Sequence, residues 1–540
     1  MNLKTEAASE SELVFALRDR LRADTGRPVE LKETHISWVL LTEGLAYKLK
    51  KPVKFPFVNF STLALRKHFC EEELRLNSRL APFLYLSVVP VCGTPQAPHI
   101  GSGGQDDDEP IDYAVCMRRF PAGALLSERL AAAVPLAPDI DRFAHRLACF
   151  HGEAQRASAA TAFGLPQQVV RPVLGVLQQL QPACRTGRLD ALREWVDRQV
   201  PALQAAWLVR RRTGAVRACH GDLHLDNVAR IGDEVIAFDC VEFDPALQWI
   251  DVMSDVAFLM MDLKAHGRAD LAFRFLDGYL QCSGDYGGVR VLLFYEVYRA
   301  LVRALATHLR ARAGVADAST PPDYVACAER LVRHRRGACL LITHGFSGSG
   351  KSTVAGQLLE AAGAIRLRSD VERKRWFGLG PLQRSAATSL DIYTPGATRR
   401  TFDRLRDCAQ EALQAGYPVI VDAAFLCRAE RRAFRGLADE LGVPFSILHC
   451  RSSEATLRRR VAARCEGGDD PSEADLAVLE RQLQSHEPLD ASERAVTLEL
   501  GTDDPVNHEA LLARWLEPSS RRRQSAAPLR DVDAGAWPSS

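Results

Sequence analysis

Gly345-Phe-Ser-Gly-Ser-Gly350-Lys351-Ser352 satisfies G-x-x-x-x-G-K-[ST], and its flanks are those the chemistry of that pattern requires. Upstream, Cys339-Leu-Leu-Ile342 reads as a short buried strand; downstream, residues 353–362 carry Val354, Leu358 and Leu359 at helical spacing. The glycines Gly345, Gly348 and Gly350 let backbone N–H groups from Ser347, Ser349 and on to Thr353 converge on phosphate oxygens, and the following helix adds its positive end. Lys351 is placed to reach the outer phosphates, and Ser352 to offer a hydroxyl to Mg²⁺. The expectation is a bound nucleoside triphosphate, ATP with Mg²⁺.

This loop lies more than halfway along a chain of 540 residues, beyond the size at which one hydrophobic core suffices, so a separate unit precedes it. Hydrophobic content of 47% and charged content of 25% are those of a soluble globular protein. A net charge of +1 argues against a dedicated nucleic-acid binder. Acidic residues near the start argue against a secretory leader, and no apolar run approaches the ~18 residues of a membrane span, so the expected location is cytoplasmic. The 14 cysteines are scattered without a C-x-x-C pair, which suggests neither a zinc knuckle nor a disulfide framework. Oligomeric state is not legible.

From the start, Leu13, Leu17 and Leu21 mark a helix over 11–23, followed by β-rich runs at 29–33, 36–41 and 45–51. Period two puts Ala46, Lys48 and Lys50 on one face of the third run, and a lysine beside a small residue is what a nucleotide pocket uses. The helix expected over 61–80 carries Glu71-Glu72-Glu73; Glu72 is the chosen partner for Lys48, because Leu76 and Leu80 follow it at four-residue steps, with Glu73 the alternative. Two further strands at 86–92 and 113–118 flank an insert with Gly101-Ser-Gly-Gly104 and Asp106-Asp-Asp-Glu109, read as a disordered loop. Helices follow near 139–156, 167–182 and 189–211.

His220-Gly-Asp222-Leu-His-Leu-Asp-Asn227 then decides the first half. It leads into two strands about Gly232-Asp233, a hairpin that brings Asn227 and Asp239 to one end, with Asp222 in the loop before them. Phosphoryl transfer needs this set: a carboxylate to orient or deprotonate the attacking hydroxyl, Asp222, and oxygen ligands for Mg²⁺, Asn227 and Asp239. His224 either touches phosphate or caps the loop.

Through these residues and Asp251-x-x-x-Asp255, residues 30–312 resemble the aminoglycoside phosphotransferase family, a branch of the protein-kinase-like fold. The resemblance implies a small β-lobe, a larger helical lobe and ATP in the cleft, with the aspartate of H-G-D as base, and Asp251 and Asp255 bracing the catalytic loop. One departure is that no G-x-G-x-x-G precedes Lys48; Thr34, His35 and Ser37 stand where it would be. A non-catalytic sensor that regulates the second half is the alternative.

The expected division is a kinase-like unit over 1–336 (β-lobe 25–120, helical lobe 121–312, connector 313–336), a P-loop unit over 337–518 and a disordered tail over 519–540. Strand and helix alternate in the P-loop unit, implying a parallel sheet with ligands at the carboxyl ends of its strands; Ser472 and Asp475 suggest a capping box for its last helix. Asp370, in Ser369-Asp370-Val-Glu-Arg373, faces the transferred phosphate as base for an acceptor hydroxyl, and Arg373 grips substrate. Asp422 ends a strand as a magnesium-water ligand or a partner of Asp370. Arg460 and Arg464, one turn apart, suit a lid that neutralises charge on the transferred group. Residues 338–517 resemble the P-loop small-molecule kinases, and the whole layout resembles bacterial fusions of an aminoglycoside phosphotransferase-like domain with an ATP-binding domain. A small-molecule substrate is the expected partner of each half.

Overall fold

The computed structural model describes residues 3–55, 58–101, 109–184, 187–312, 320–333, 337–385, 392–467 and 470–517. The Asp106-Asp-Asp part of the expected insert, most of the connector at 313–319 and 334–336, and the tail from 519 lie outside the described residues. The chain divides into two units, Met1–Arg335 and Arg336–Ser540.

In the first unit, an antiparallel sheet runs in the order Glu30–Glu33, Ser37–Leu41, Leu45–Lys50, Asp112–Arg118, Tyr85–Thr94, Ala97–Ile100. The outer strand Ala97–Ile100 escapes period-two reading because Pro98 interrupts it, a residue that an edge tolerates. Alternation gives each face its own cover. Leu13, Val14, Leu17 and Leu21 of helix Leu3–Thr25 pack on Trp38, Leu40, Leu49 and Val91. On the other face, Cys70 of helix Leu63–Asn77 packs with Ala46, Val115 and Met117. Thr62 starts that helix, its side chain accepting from Leu65 N at 3.2 Å.

The helical lobe is built around Val252–Ala265, buried from Val252 through Leu263. A helix apolar on all sides needs neighbours on all sides, and Ala269–Ser283 and Val289–Arg312 pack against it, the former also against Ala137–Glu153. Hairpin Val228–Ile231 and Glu234–Ala237 pairs Val228 with Ala237. Asn227 and Asp239 therefore lie at its open end. This is an α+β unit, a lobe built on an antiparallel sheet followed by a helical lobe.

The second unit is α/β. Its sheet is parallel throughout, in the order Ile365–Arg368, Val419–Asp422, Leu340–His344, Phe445–Arg451, Thr497–Gly501. Leu340–His344 is central and wholly buried, as its unbroken apolar run requires. The glycine-rich turn leaves its carboxyl end and opens helix Lys351–Ala362. The expected Ser472 capping box is corrected: helix Leu476–Ser485 begins after Asp475, which itself caps it by accepting from Val478 N at 2.8 Å, and Ser472 lies outside the first turn.

Candidate active sites

In the first unit, Lys48 Nζ lies 2.8 Å from Glu73 Oε1 and 2.5 Å from Asp239 Oδ1. The choice of Glu72 is corrected: it pairs with Arg75 on the surface at 2.6 Å, and Glu73 faces the sheet. The reason is phase. Cys70, Glu73, Leu76 and Asn77 form the buried stripe of the helix, whereas steps of four from Leu76 point to its neighbour. Burial opposes the charge of Lys48, but the Asp239 and Glu73 carboxylates outweigh it and raise its pKa well above the ordinary lysine value.

The H-G-D loop is held from behind. Asp255 accepts from His220 N at 2.7 Å and Gly221 N at 2.9 Å, and His151 stands 3.3 Å from its carboxylate. His220 Nδ1 accepts from Asp222 N at 3.2 Å, and its Nε2 bonds the Phe238 carbonyl at 2.9 Å, which fixes a neutral tautomer. The expectation that both carboxylates of D-x-x-x-D brace the loop holds for Asp255 only: Asp251 instead caps helix Val252–Ala265 and binds Arg210. His224 caps the turn Leu225–Asn227, its ring within 3.1 Å of Arg303 and 3.4 Å of Asp222.

Asp222 is brought to Asn227: Nδ2 of Asn227 donates to the Asp222 carbonyl at 2.9 Å and to its Oδ2 at 3.2 Å. Burial works against the Asp222 carboxylate, yet His224 and Arg303 hold its pKa well below the usual carboxylate range. Asp239 adopts φ 65, a left-handed conformation that costs a non-glycine residue ~1–3 kcal/mol and is kept where the surroundings enforce it. Its N–H donates to Tyr85 Oη at 3.1 Å. With the Asn227 amide nitrogen engaged, its oxygen remains for a cation, beside an Asp239 side chain that is 42% exposed. Hard oxygen donors of this kind fit Mg²⁺.

In the second unit, a cavity of about 460 Å³ is lined by Ser347, Gly348, Gly350, Lys351, Ser352, Thr353, Asp370, Arg373, Asp422, Arg460 and Arg464. Every residue expected in this site except Gly345 and Ser349 is on its wall, and those two form the turn behind. A side chain at Gly345 (φ +143) would meet the Cys450 carbonyl at 2.5 Å, and one at Gly348 (φ +83) the Leu457 carbonyl at 2.8 Å. Only glycine lets the loop close into a cradle there. Lys351 folds over it, Nζ donating to the Phe346 carbonyl at 2.6 Å, and burial lowers its pKa.

Ser352 Oγ donates to Asp422 Oδ1 at 3.1 Å, whereas Asp422 Oδ2 is buried without a hydrogen-bond partner, 3.5 Å from Arg368 Nε. An orphaned carboxylate oxygen next to a phosphate-loop hydroxyl fits a hydrated Mg²⁺. Asp422 serves Ser352; among the described residues it has no bond to Asp370. Asp370 instead holds Arg373 at 3.2 Å, with the guanidinium 4.8 Å over the Tyr393 ring and its Nε buried and unpartnered. Arg460 reaches the Gly348 carbonyl at 3.3 Å and Thr502 O at 2.6 Å, and Arg464 the Ala474 carbonyl at 2.7 Å.

Two mycobacterial relatives, uncharacterized proteins Rv2004c of Mycobacterium tuberculosis and Mb2027c of Mycobacterium bovis, are each 30% identical over 458 residues, 84% of this chain and 89% of theirs. The chain belongs to their family. Residues 340–489 match the family described as an AAA domain, so within this family the second unit is a P-loop, nucleotide-binding domain. Among solved structures, the chain is similar to a choline/ethanolamine kinase family protein from Mesorhizobium loti (16% identity, 58% of this chain and 92% of that one, TM-score 0.35). It is similar also to a gluconokinase from Sinorhizobium meliloti (21%, 34% and 89%, TM-score 0.24) and to the Mycobacterium tuberculosis APS kinase CysC in complex with AMPPNP and APS (19%, 33% and 97%, TM-score 0.25).

Several residues at these sites carry no motif. Arg303 approaches Asp222 through His224 from helix Val289–Arg312, and Glu430 and Gln482 reach the second cavity from helices far along the chain. Glu73 was within reach of the sequence, had the helix been phased from Cys70. The others lie on ordinary amphipathic surfaces, and only the packing of those helices selects them.

Proposed function

We propose that the protein is a bifunctional, ATP- and Mg²⁺-dependent phosphotransferase, each unit moving the γ-phosphate of ATP to a hydroxyl of a small-molecule acceptor. The observation that carries this reading is the second cavity, where the phosphate loop and the Asp370–Arg373 pair face the same 460 Å³. An ATPase switch needs the first; a kinase needs both ends. The first unit supports the same chemistry in the aminoglycoside phosphotransferase manner.

Bound at either site, magnesium would supply positive charge against the charge that develops on the transferred phosphate. In the first unit, Asn227 and Asp239 would hold it, Lys48 would bind phosphate, and Asp222, kept ionised, would take the proton of the acceptor hydroxyl. In the second, Ser352 and Asp422 would hold it, Lys351, Arg460 and Arg464 would bind phosphate, and Asp370 would receive the proton while Arg373 orients the acceptor. Without protein-held phosphate oxygens in line with the acceptor, positioning would be lost, and with it most of the rate.

A cytoplasmic location is part of the proposal; among the described residues, no helix is long and apolar enough to cross a membrane. A second reading, in which the first unit senses ligand and regulates the second, is favoured by Lys48 being engaged by Asp239 and by the missing glycine loop. Metabolite extracts incubated with the protein and ATP, screened for a mass gain of one phosphate, test both. Under the proposal, Lys351→Ala and Asp222→Asn each abolish a different set of products. Free phosphate as the sole product for every acceptor would leave only an ATPase.

A further inference from the structure

Strand Leu45–Lys50 sends two lysines to one side of the sheet, and the mechanism uses one. Lys50, 1% exposed at its side chain, lies 2.7 Å from the second oxygen of Glu73 and bonds Glu242, which is 5% exposed. Glu242 follows Asp239 by three residues. The charges therefore alternate without a gap: Glu242, Lys50, Glu73, Lys48, Asp239. A lysine buried this deeply is expensive to desolvate, and an apolar side chain would pack the same strand face at lower cost. The Phe60 ring 4.9 Å from its Nζ shows that the surroundings are apolar enough for one.

Besides the Lys48–Asp239 pair, the segment from Asp239 to Glu242 is tied down by Asp239 N to Tyr85 Oη, Cys240 N to Asn77 Oδ1 at 2.9 Å, Val241 N to the His220 carbonyl at 3.0 Å, and Glu242 to Lys50. The three bonds from backbone N–H are neutral. Both lysines join this segment to the Glu73 carboxylate, Lys48 through Asp239 and Lys50 through Glu242, while Asn77 joins it to the Glu73 backbone carbonyl; of the two lysines, Lys50 is the one that phosphate binding leaves in place. If Lys48 exchanges Asp239 for a phosphate, Glu73 keeps Lys50 on its other oxygen and cannot turn away, and the segment that carries Asp239 stays in place.

Resting on the reading of the first unit as a nucleotide site, we propose that Lys50 is a positioning residue: through Glu73 it sets Lys48 for phosphate, and through Glu242 it sets Asp239 for the metal. Residues that support metal ligands in this way typically change metal affinity by roughly 10–100-fold when removed.

The test uses the full chain carrying Lys351→Ala, so that the P-loop site is disabled, and titrates Mg²⁺ into AMPPNP by calorimetry. Three variants are added to that parent: Lys50→Met, Glu242→Gln, and both together, the last leaving no stranded charge. The expected result is a rise of about tenfold or more in the Mg²⁺ concentration for half-maximal AMPPNP binding, in variants whose melting curves remain cooperative. A merely structural lysine would lower the melting temperature and leave the Mg²⁺ midpoint where it was. A midpoint within twofold of the parent overturns the inference and leaves the nucleotide site standing. A parent that binds no Mg·AMPPNP sinks the nucleotide reading and the inference with it. If neither the double variant nor Glu242→Gln folds, Lys50 is a brace of the fold, and the proposal is also overturned.

Discussion

The two candidate sites are built by opposite means. In the first unit, side chains do the work, and they are already satisfied by one another: Lys48 has two carboxylates, Asn227 holds Asp222, and Asp255 holds the loop's backbone. In the second, the backbone is the receptor, and polar atoms are left over: Asp422 Oδ2 and Arg373 Nε are buried without hydrogen-bond partners. Buried unpaired groups are costly, so the second cavity is poised for a charged ligand, whereas the first must exchange internal ion pairs for ligand contacts. The same change in charge should thus act differently in the two units.

The largest expected effect tests whether the first site is catalytic at all. In the Lys351→Ala background, Asp222→Asn should slow phosphorylation of first-site acceptors by ~10²–10⁴ while Mg·AMPPNP affinity stays within about threefold, since a base acts on the rate rather than on nucleotide binding. Initial rates and calorimetry on one preparation would decide this. Equal rates would hand the first unit to the sensor reading.

Next comes the ion-pair contrast within a single helix. Glu73→Ala removes the buried carboxylate that Lys48 and Lys50 share, leaving each with a single carboxylate, and should cost ~3–5 kcal/mol, whereas Glu72→Ala, whose partner Arg75 is exposed, should cost less than about 0.5 kcal/mol. Denaturant unfolding of the first transition measures both. Comparable losses would mean that Glu73 is not the residue that holds the lysines.

That pair of glutamates also marks how far the sequence could be read. The strand-turn-helix at 340–362 was legible because its glycines are needed by backbone geometry, which leaves a literal trace in the chain. H-G-D-x-x-x-x-N was legible for a similar reason: the loop, the hairpin turn and the residues proposed to hold a cation are close in sequence, so spacing stands in for distance. Glu73 was legible only as the alternative to Glu72, and its meeting with Lys50 and Glu242 was not legible, because that depends on how a helix is phased over a sheet and on a segment nearly 200 residues away. Alternation announced that Lys48 and Lys50 share a face, yet nothing local says that the face is covered by carboxylates. The strand Ala97–Ile100 shows the same limit for the fold, since its partner specifies it and its own residues do not.

A smaller effect sharpens the backbone side of the comparison. Gly345→Ala forces a methyl group to within 2.5 Å of the Cys450 carbonyl at a φ of +143, and the loop must shift to admit it. The second unit should lose ~1–3 kcal/mol by overpacking and strain, and ATP affinity at the P-loop should fall with the cradle, while Mg·AMPPNP binding to the first site is unchanged. Differential binding with and without Lys351→Ala separates the sites. A loop that keeps full affinity with alanine would show that its carbonyl-facing geometry is not required.

The smallest effect is a pH dependence belonging to the second site alone. Glu430 opens helix Arg428–Leu441 and lines the cavity that holds Asp370 and Arg373. Burial pushes its pKa from 4.5 up to about 7, against the pull of Arg373 and the Cys427 N–H. The folded state therefore keeps a proton that the unfolded chain has released, and the stabilisation from this group is fully present below pH 4.5 and lost as pH rises through about 7. His344, lowered to about 3 mainly by burial and by His449, works in the other direction, because its protonation penalises the folded state below pH 6.5. The raw stability of the second unit mixes the two, but the difference between wild type and Glu430→Gln does not. Glutamine mimics the protonated carboxyl, so the variant should melt with wild type below pH 4.5 and rise progressively above it as pH increases through about 7. A constant gap between the two melting curves from below pH 4.5 to above pH 7 would mean that Glu430 titrates as it does in the unfolded chain, and that the Asp370–Arg373 end of the cavity carries its full negative charge at neutral pH.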